Sequence, residues 1–236
     1  MSLFADAPPK VLFVCGYNTL GQDSYKNMDY LTNVSFFVYD GMESLASIED
    51  RLLKEYSAEF FDILIGHSLG CFLITRLLQK LGDITSQNVL FINPYITNDG
   101  WELKLIKNTP TCLFHIPIPN FTHYILTFGA ISYNIRKPSL FGLHWSQLLQ
   151  LKKASAFMDL KEFSKTYARH NVSIIHGLND TVVPLSAQSR AVLERVSVLI
   201  PLYCNHEPMT DDYCIQKNLK NKICAVLASI DGGLDE

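Results

Sequence analysis

The sequence predicts an α/β protein: a reduced, mostly parallel sheet of about six strands, helices on both faces and one inserted helical segment. Three observations carry that reading. Short apolar runs alternate with stretches of helical periodicity along most of the chain, the pattern of strand–helix–strand units. The runs, Val11-Leu12-Phe13-Val14 among them, are apolar at successive positions rather than at alternate ones, which suits strands covered on both faces. Finally, Phe61-Asp62-Ile63-Leu64-Ile65 runs directly into Gly66-His67-Ser68-Leu69-Gly70 and then into a good helical sequence. A serine between two glycines at a strand-to-helix turn needs neighbours without a Cβ, because backbone and helix pass close by.

The elements follow in order. Val11 to Gly16 is the first strand, and Leu20 to Tyr30 has weak helical character. Val34 to Tyr39 is the second strand. Ser44 is placed to cap a helix reaching about Tyr56, with Leu45, Ile48, Leu52 and Leu53 at helical spacing. The third strand ends at the serine turn, and its helix spans Cys71 to Leu81. Asn88 to Ile92 is a fourth strand, stopped by Asn93-Pro94. The alternation then breaks until Asn171. A structureless loop of that length is improbable inside a compact domain, so residues 95–169 are expected to form an inserted helical cap, or lid, on a core of residues 1–94 and 170–236. Val172 to Gly177 is the fifth strand, Leu185 to Arg195 a helix, Ser197 to Cys204 the sixth strand, and Asp211 to Leu227 the last helix.

Composition narrows the function. The chain has 236 residues, 48% hydrophobic and 18% charged, which fits one well-cored domain and not a disordered one. A net charge of −3 gives no concentrated basic face, so no nucleic-acid partner is expected. No apolar run approaches the roughly 20 residues that span a bilayer, and Met1 to Lys10 lacks the pattern of a secretory signal. A cytoplasmic location is the expectation. The six cysteines include no Cys-x-x-Cys pair and read as buried free thiols, not as a disulfide framework or a metal site.

The Gly66–Gly70 pentapeptide in its strand–turn–helix setting resembles the nucleophile elbow of the α/β-hydrolase superfamily. A serine hydroxyl is a poor nucleophile at neutral pH, and it needs a base held in place by an acid. The fold implied by the resemblance supplies these in the chain order Ser, Asp or Glu, His, each just past a strand. Asp180, in Gly177-Leu178-Asn179-Asp180-Thr181-Val182-Val183-Pro184, matches the acid turn of that family. His206, between the last strand and the last helix, matches its base, although Asn205 stands where a glycine often precedes it. The other histidines fit worse: His67 is inside the elbow, His170 and His176 flank the fifth strand, and His115, His123 and His144 fall in the insertion. Two backbone N–H groups would form the oxyanion hole, one from Leu69 and one from Tyr17, with Gly16 shaping the turn as in the family's His-Gly. Relatives commonly begin with an antiparallel strand pair that is missing here, hence the reduced sheet.

What the resemblance implies is a serine hydrolase acting on a carboxylic ester or thioester through an acyl-enzyme, with no metal and no cofactor. The insertion is uncharged from Asn108 to Ile135 and carries Phe121, Tyr124, Ile125, Phe128 and Ile131 at helical spacing. With Trp145, the residues Phe121, Tyr124 and Phe128 are candidates for an apolar acyl pocket. The partner expected is a small-molecule acyl substrate, with peripheral lipid contact through the cap as a further option. No feature specifies an oligomeric state. Two alternatives stand beside this reading: cofactor-free carbon–carbon hydrolysis or lyase chemistry on the same fold, and a non-catalytic ligand-binding homologue.

Overall fold

The computed structural model describes residues 8–16, 25, 27–39, 43–82, 86–115, 148–209 and 211–231. Its centre is one six-stranded sheet. The strands are β1 (Val11–Val14), β2 (Val34–Phe37), β3 (Ile63–His67), β4 (Asn88–Ile92), β5 (Asn171–Gly177) and β6 (Val198–Leu202). Their spatial order is β2-β1-β3-β4-β5-β6, and every pair is parallel. The jump from β1 outward to β2 and back to β3 makes a topological switch point. In open α/β sheets the crevice at the carboxyl ends of the strands beside such a point is where ligands bind.

Strand periodicity divides the core into two layers. Leu12, Val14 and Leu64 join α1 (Leu45–Ala58) and α2 (Leu69–Leu81) on one face. Val11, Phe13, Ile63 and Ile65 join α7 (Tyr213–Asp231) through Leu219, Ile223 and Val226 on the other. All four residues of β1 and all five of β3 are buried, as unbroken apolar runs require. Helix α2 is buried around most of its circumference, from Leu69 through Thr75 and again at Leu77 and Leu78. Arg76, Gln79 and Lys80 reach toward solvent, and most of the helix lies beneath other elements.

Ser44 caps α1 as its position predicts, its hydroxyl accepting the Ser47 N–H at 3.1 Å. Helices α3 (Trp101–Asn108), α4 (Leu148–Ala156) and α5 (Leu160–Tyr167) lie in the segment between β4 and β5. Helix α5 packs directly on the sheet layer: Phe163 and Tyr167 are buried with Phe72 and Phe91, and the Tyr167 hydroxyl meets Thr75 Oγ1 at 2.8 Å. It thus serves as the crossover that a parallel β4–β5 pair requires. Helix α6 (Ala187–Leu193) joins β5 to β6. Element ends differ from the sequence reading by a few residues, and the weak helix expected over 20–30 falls largely outside the described residues.

The cysteines need one correction. Cys15, Cys71 and Cys204 are buried free thiols, but Cys112, Cys214 and Cys224 are exposed. The last two sit on the long terminal helix α7, whose outer face is open to solvent.

Candidate active site

The site is built where β3 passes into α2. Ser68 sits between them with φ 51° and ψ −119°, outside the ordinary regions for a residue with a side chain. The turn is held from both sides. Ser68 N–H donates to the Ile92 carbonyl at the end of β4, and the Ser68 carbonyl accepts from Tyr95 N–H and Cys71 N–H. The flanking glycines are required by space. A Cβ on Gly70 would lie 2.1 Å from the Val14 carbonyl oxygen, and one on Gly66 would lie 2.9 Å from the Cys71 backbone. Gly70 therefore lets α2 start directly against the end of β1. Gly16 is similarly confined, since a Cβ there would fall 2.7 Å from His67 Nδ1.

Asp180 and His206 come to the same place from β5 and β6. His206 Nε2 is 2.9 Å from Ser68 Oγ, and His206 Nδ1 is 2.9 Å from Asp180 Oδ2. A carboxylate only accepts, so Nδ1 carries the proton and Nε2 is left to accept from the serine hydroxyl. The other Asp180 oxygen, Oδ1, accepts the N–H groups of Val182 and Val183, both at 2.9 Å. All three side chains are buried or nearly so. Burial alone would push the Asp180 carboxyl up, but the His206 imidazole and the Val183 N–H more than offset it and hold it below the usual carboxylate range.

The Leu69 N–H opens α2, where the first backbone donors have no intrahelical acceptor. Tyr17, the other expected donor, lies outside the described residues, as do Phe121, Tyr124, Phe128 and Trp145. A cavity of about 1200 Å³ lies at the opposite end of the strands, lined by Asp62, Asn88, Asn171 and Val198 at the strand starts. It includes none of Ser68, Asp180 or His206.

Three neighbours not singled out by the sequence surround the constellation. His67 is fully buried, with Nε2 at 3.1 Å from the His206 carbonyl oxygen and Nδ1 at 3.1 Å from the Tyr25 hydroxyl. That hydroxyl accepts the Gly16 N–H at 2.8 Å. Burial pushes the His67 imidazole down, against the pull of Glu207, so it stays neutral. Because the His206 carbonyl can only accept, His67 carries its proton on Nε2, and its Nδ1 accepts a hydrogen bond from the Tyr25 hydroxyl. Asn93 follows β4 with φ 44° and is fully buried. No local signal marks these contacts, which join residues 9, 42 and 139 positions apart.

His67, His206 and Glu207 also bring potential metal-ligand atoms within 4.8 Å of one another. All four ring nitrogens are already engaged by Tyr25, the His206 carbonyl, Asp180 and Ser68. A cation there would have to break those bonds, so the donor set suits an imidazole network better than a metal. Among the described residues, no helix is long and apolar enough to cross a membrane.

No family model and no curated protein sequence matches the chain. Similar solved structures are numerous. A monoacylglycerol lipase from Paleococcus ferrophilus superposes with a TM-score of 0.62 at 17% identity, covering 92% of this chain and 93% of its own. A thermophilic esterase from Thermogutta terrifontis gives 0.64 at 14% identity, covering 92% and 90%. An enol-lactonase from Burkholderia xenovorans LB400 gives 0.59 at 11% identity, covering 94% and 92%. With the parallel sheet order, the serine at the β3–α2 turn and near-complete overlap along both chains, the architecture of this protein is the α/β-hydrolase fold.

Proposed function

We propose that this protein is a serine hydrolase that cleaves a carboxylic ester or thioester with an apolar acyl group. The observation that carries the reading is the placement of His206, whose two ring nitrogens stand 2.9 Å from Ser68 Oγ and 2.9 Å from Asp180 Oδ2. An imidazole bridging a hydroxyl on a strained turn and a buried carboxylate is an arrangement suited to activating the hydroxyl.

In the proposed reaction, His206 Nε2 takes the Ser68 proton as Oγ attacks the substrate carbonyl. The tetrahedral oxyanion rests on the N–H groups of Leu69 and Tyr17. Asp180 holds the imidazole in the Nδ1–H tautomer and stabilises the imidazolium that forms. His206 then gives the proton to the departing alcohol or thiol, leaving Ser68 acylated. Water, deprotonated by His206, attacks the acyl-enzyme and releases the acid. No step needs a metal or a cofactor. In this reading the 95–169 insertion, apart from α5 on the sheet, caps the site, and Phe121, Tyr124, Phe128 and Trp145 line the acyl pocket. The lipase and esterase among the structural neighbours support ester chemistry by analogy of fold only.

The test is turnover of p-nitrophenyl esters of increasing acyl length and of acyl thioesters, by the wild type and by Ser68→Ala. The proposal expects turnover that depends on chain length and is abolished in the variant. Absence of turnover across both series would count against it.

A further inference from the structure

Asn93 joins the two loops that carry the acid and the base. It stands immediately after β4, between β3 with its elbow and β5 with Asp180. Its Oδ1 accepts the Gly177 N–H at 2.6 Å, at the end of the strand from which the Asp180 turn departs. Its Nδ2 donates to the Asn205 carbonyl at 2.9 Å and to the His206 carbonyl at 2.9 Å. Carbonyls only accept and an N–H only donates, so the three partners fix the orientation of the amide and use its one acceptor and both donors. The His206 carbonyl receives a second bond from His67 Nε2 at 3.1 Å. Through Tyr25 and Gly16, that branch reaches the turn after β1.

Such a clamp is made at a backbone cost. Asn93 has φ 44°, and Ser68 is the other non-glycine residue with positive φ among the described residues. Asparagine tolerates the left-handed region better than most residues. A residue chosen for the turn alone would not need its side chain fully buried and fully bonded. The His206 Cα bears both the imidazole-carrying Cβ and the carbonyl that is held twice, so losing either hydrogen bond lets that peptide rotate and shifts the imidazole. A displacement of about 1 Å at a reacting group costs on the order of 10²-fold in rate.

We infer that Asn93 is a positioning residue: its amide, acting with His67, sets the spacing between the Asp180 turn and the His206 loop so that the imidazole reaches Ser68 and Asp180 together. The inference deepens the hydrolase reading and rests on it for its kinetic consequence.

Two substitutions separate the side chain's role from the backbone's. Asn93→Asp keeps the shape, the left-handed tolerance and the acceptor for Gly177, but turns an oxygen toward the two carbonyls. Asn93→Gly accepts the positive φ freely and removes the side chain. Both are expected to lower kcat for a p-nitrophenyl ester by about 10²-fold with KM within about threefold of wild type. A second readout is independent of turnover: the downfield proton resonance of His206 Nδ1–H, assigned by its loss in His206→Ala and measured in folded protein. It is expected in the wild type and in Ser68→Ala, and lost or displaced upfield in both Asn93 variants. Variants that keep kcat within about threefold and keep the resonance would overturn the inference. If the wild type turns over no ester or thioester, the hydrolase reading fails and the resonance alone decides. Its loss in the variants then upholds the clamp, and its retention refutes it.

Discussion

Asp180→Asn tests the role proposed for Asp180 with little change in shape. The outcome follows from which way the new amide faces. In the wild type, Oδ1 accepts two backbone N–H groups, from Val182 and Val183, while Oδ2 faces His206 Nδ1. An asparagine that turned its NH2 toward Val182 and Val183 would set donors against donors and leave both backbone groups unmet, at about 1–3 kcal/mol each. Keeping its oxygen there satisfies both N–H groups and disturbs only the contact with the imidazole. The amide therefore presents its NH2 to His206, which must accept on Nδ1 and carry its proton on Nε2. That nitrogen then donates toward Ser68 instead of accepting from it. The expected fall in kcat is about 10⁴-fold, as in other triads forced into the wrong tautomer, equivalent to about 5 kcal/mol of transition-state stabilisation. Steady-state hydrolysis of a short p-nitrophenyl ester measures it, with far-UV circular dichroism to show that the fold is kept. A folded variant within tenfold of wild-type kcat would refute the assignment of Asp180 and the tautomer argument with it.

Two further predictions rest on space and on charge. Gly70→Ala places a Cβ 2.1 Å from the Val14 carbonyl oxygen and 2.7 Å from that of Cys15, both backbone atoms that cannot swing aside. It should destabilise the protein by at least about 1–3 kcal/mol in a denaturant titration, and the same shift should lower kcat; an unchanged midpoint would show that α2 does not start against β1 as described. His176 is buried on β5, and burial pushes its imidazole down to about 4. The folded value lies below the unfolded one, so the neutral form is favoured by folding: its contribution is fully present above about pH 6.5 and is lost as pH falls toward 4. For this group alone the loss is at most about 3 kcal/mol. His176→Gln should flatten that part of the stability curve between pH 6.5 and 4, whatever its effect at neutral pH. An identical slope would assign the acid sensitivity to other groups.

Much of this arrangement was legible in the sequence because it is written locally. The buried strands β1, β3 and β4 are short apolar runs stopped by Gly16, Gly66 or Asn93-Pro94, and length with those stops marks them as strands. Ser68 is marked by glycines that steric contact demands, and Asp180 and His206 each stand at a strand end in the order the fold imposes. Asn93, His67 and Tyr25 were illegible for the opposite reason. Asn93-Pro94 looks like any strand stop, because the Gly177, Asn205 and His206 groups that its amide holds are far away in the chain. Tyr25 meets His67 across 42 positions, and no periodicity encodes that. Helix α5 falls in the 95–169 segment, which is grouped as an insertion because the alternation breaks there, and nothing local says that its partners are Phe72 and Phe91. The exposed Cys214 and Cys224 follow the outer face of α7, which a cysteine's usual burial does not foretell.

Covalent labelling reads out whether Ser68 is a nucleophile activated by His206. The wild type, treated with a fluorophosphonate and digested, should carry the phosphonyl adduct on the peptide containing Ser68. Ser68→Ala should carry none, and His206→Ala should label far more slowly. An unlabelled, folded wild type, or equal labelling of Ser68→Ala, would mean that Ser68 is not an activated nucleophile.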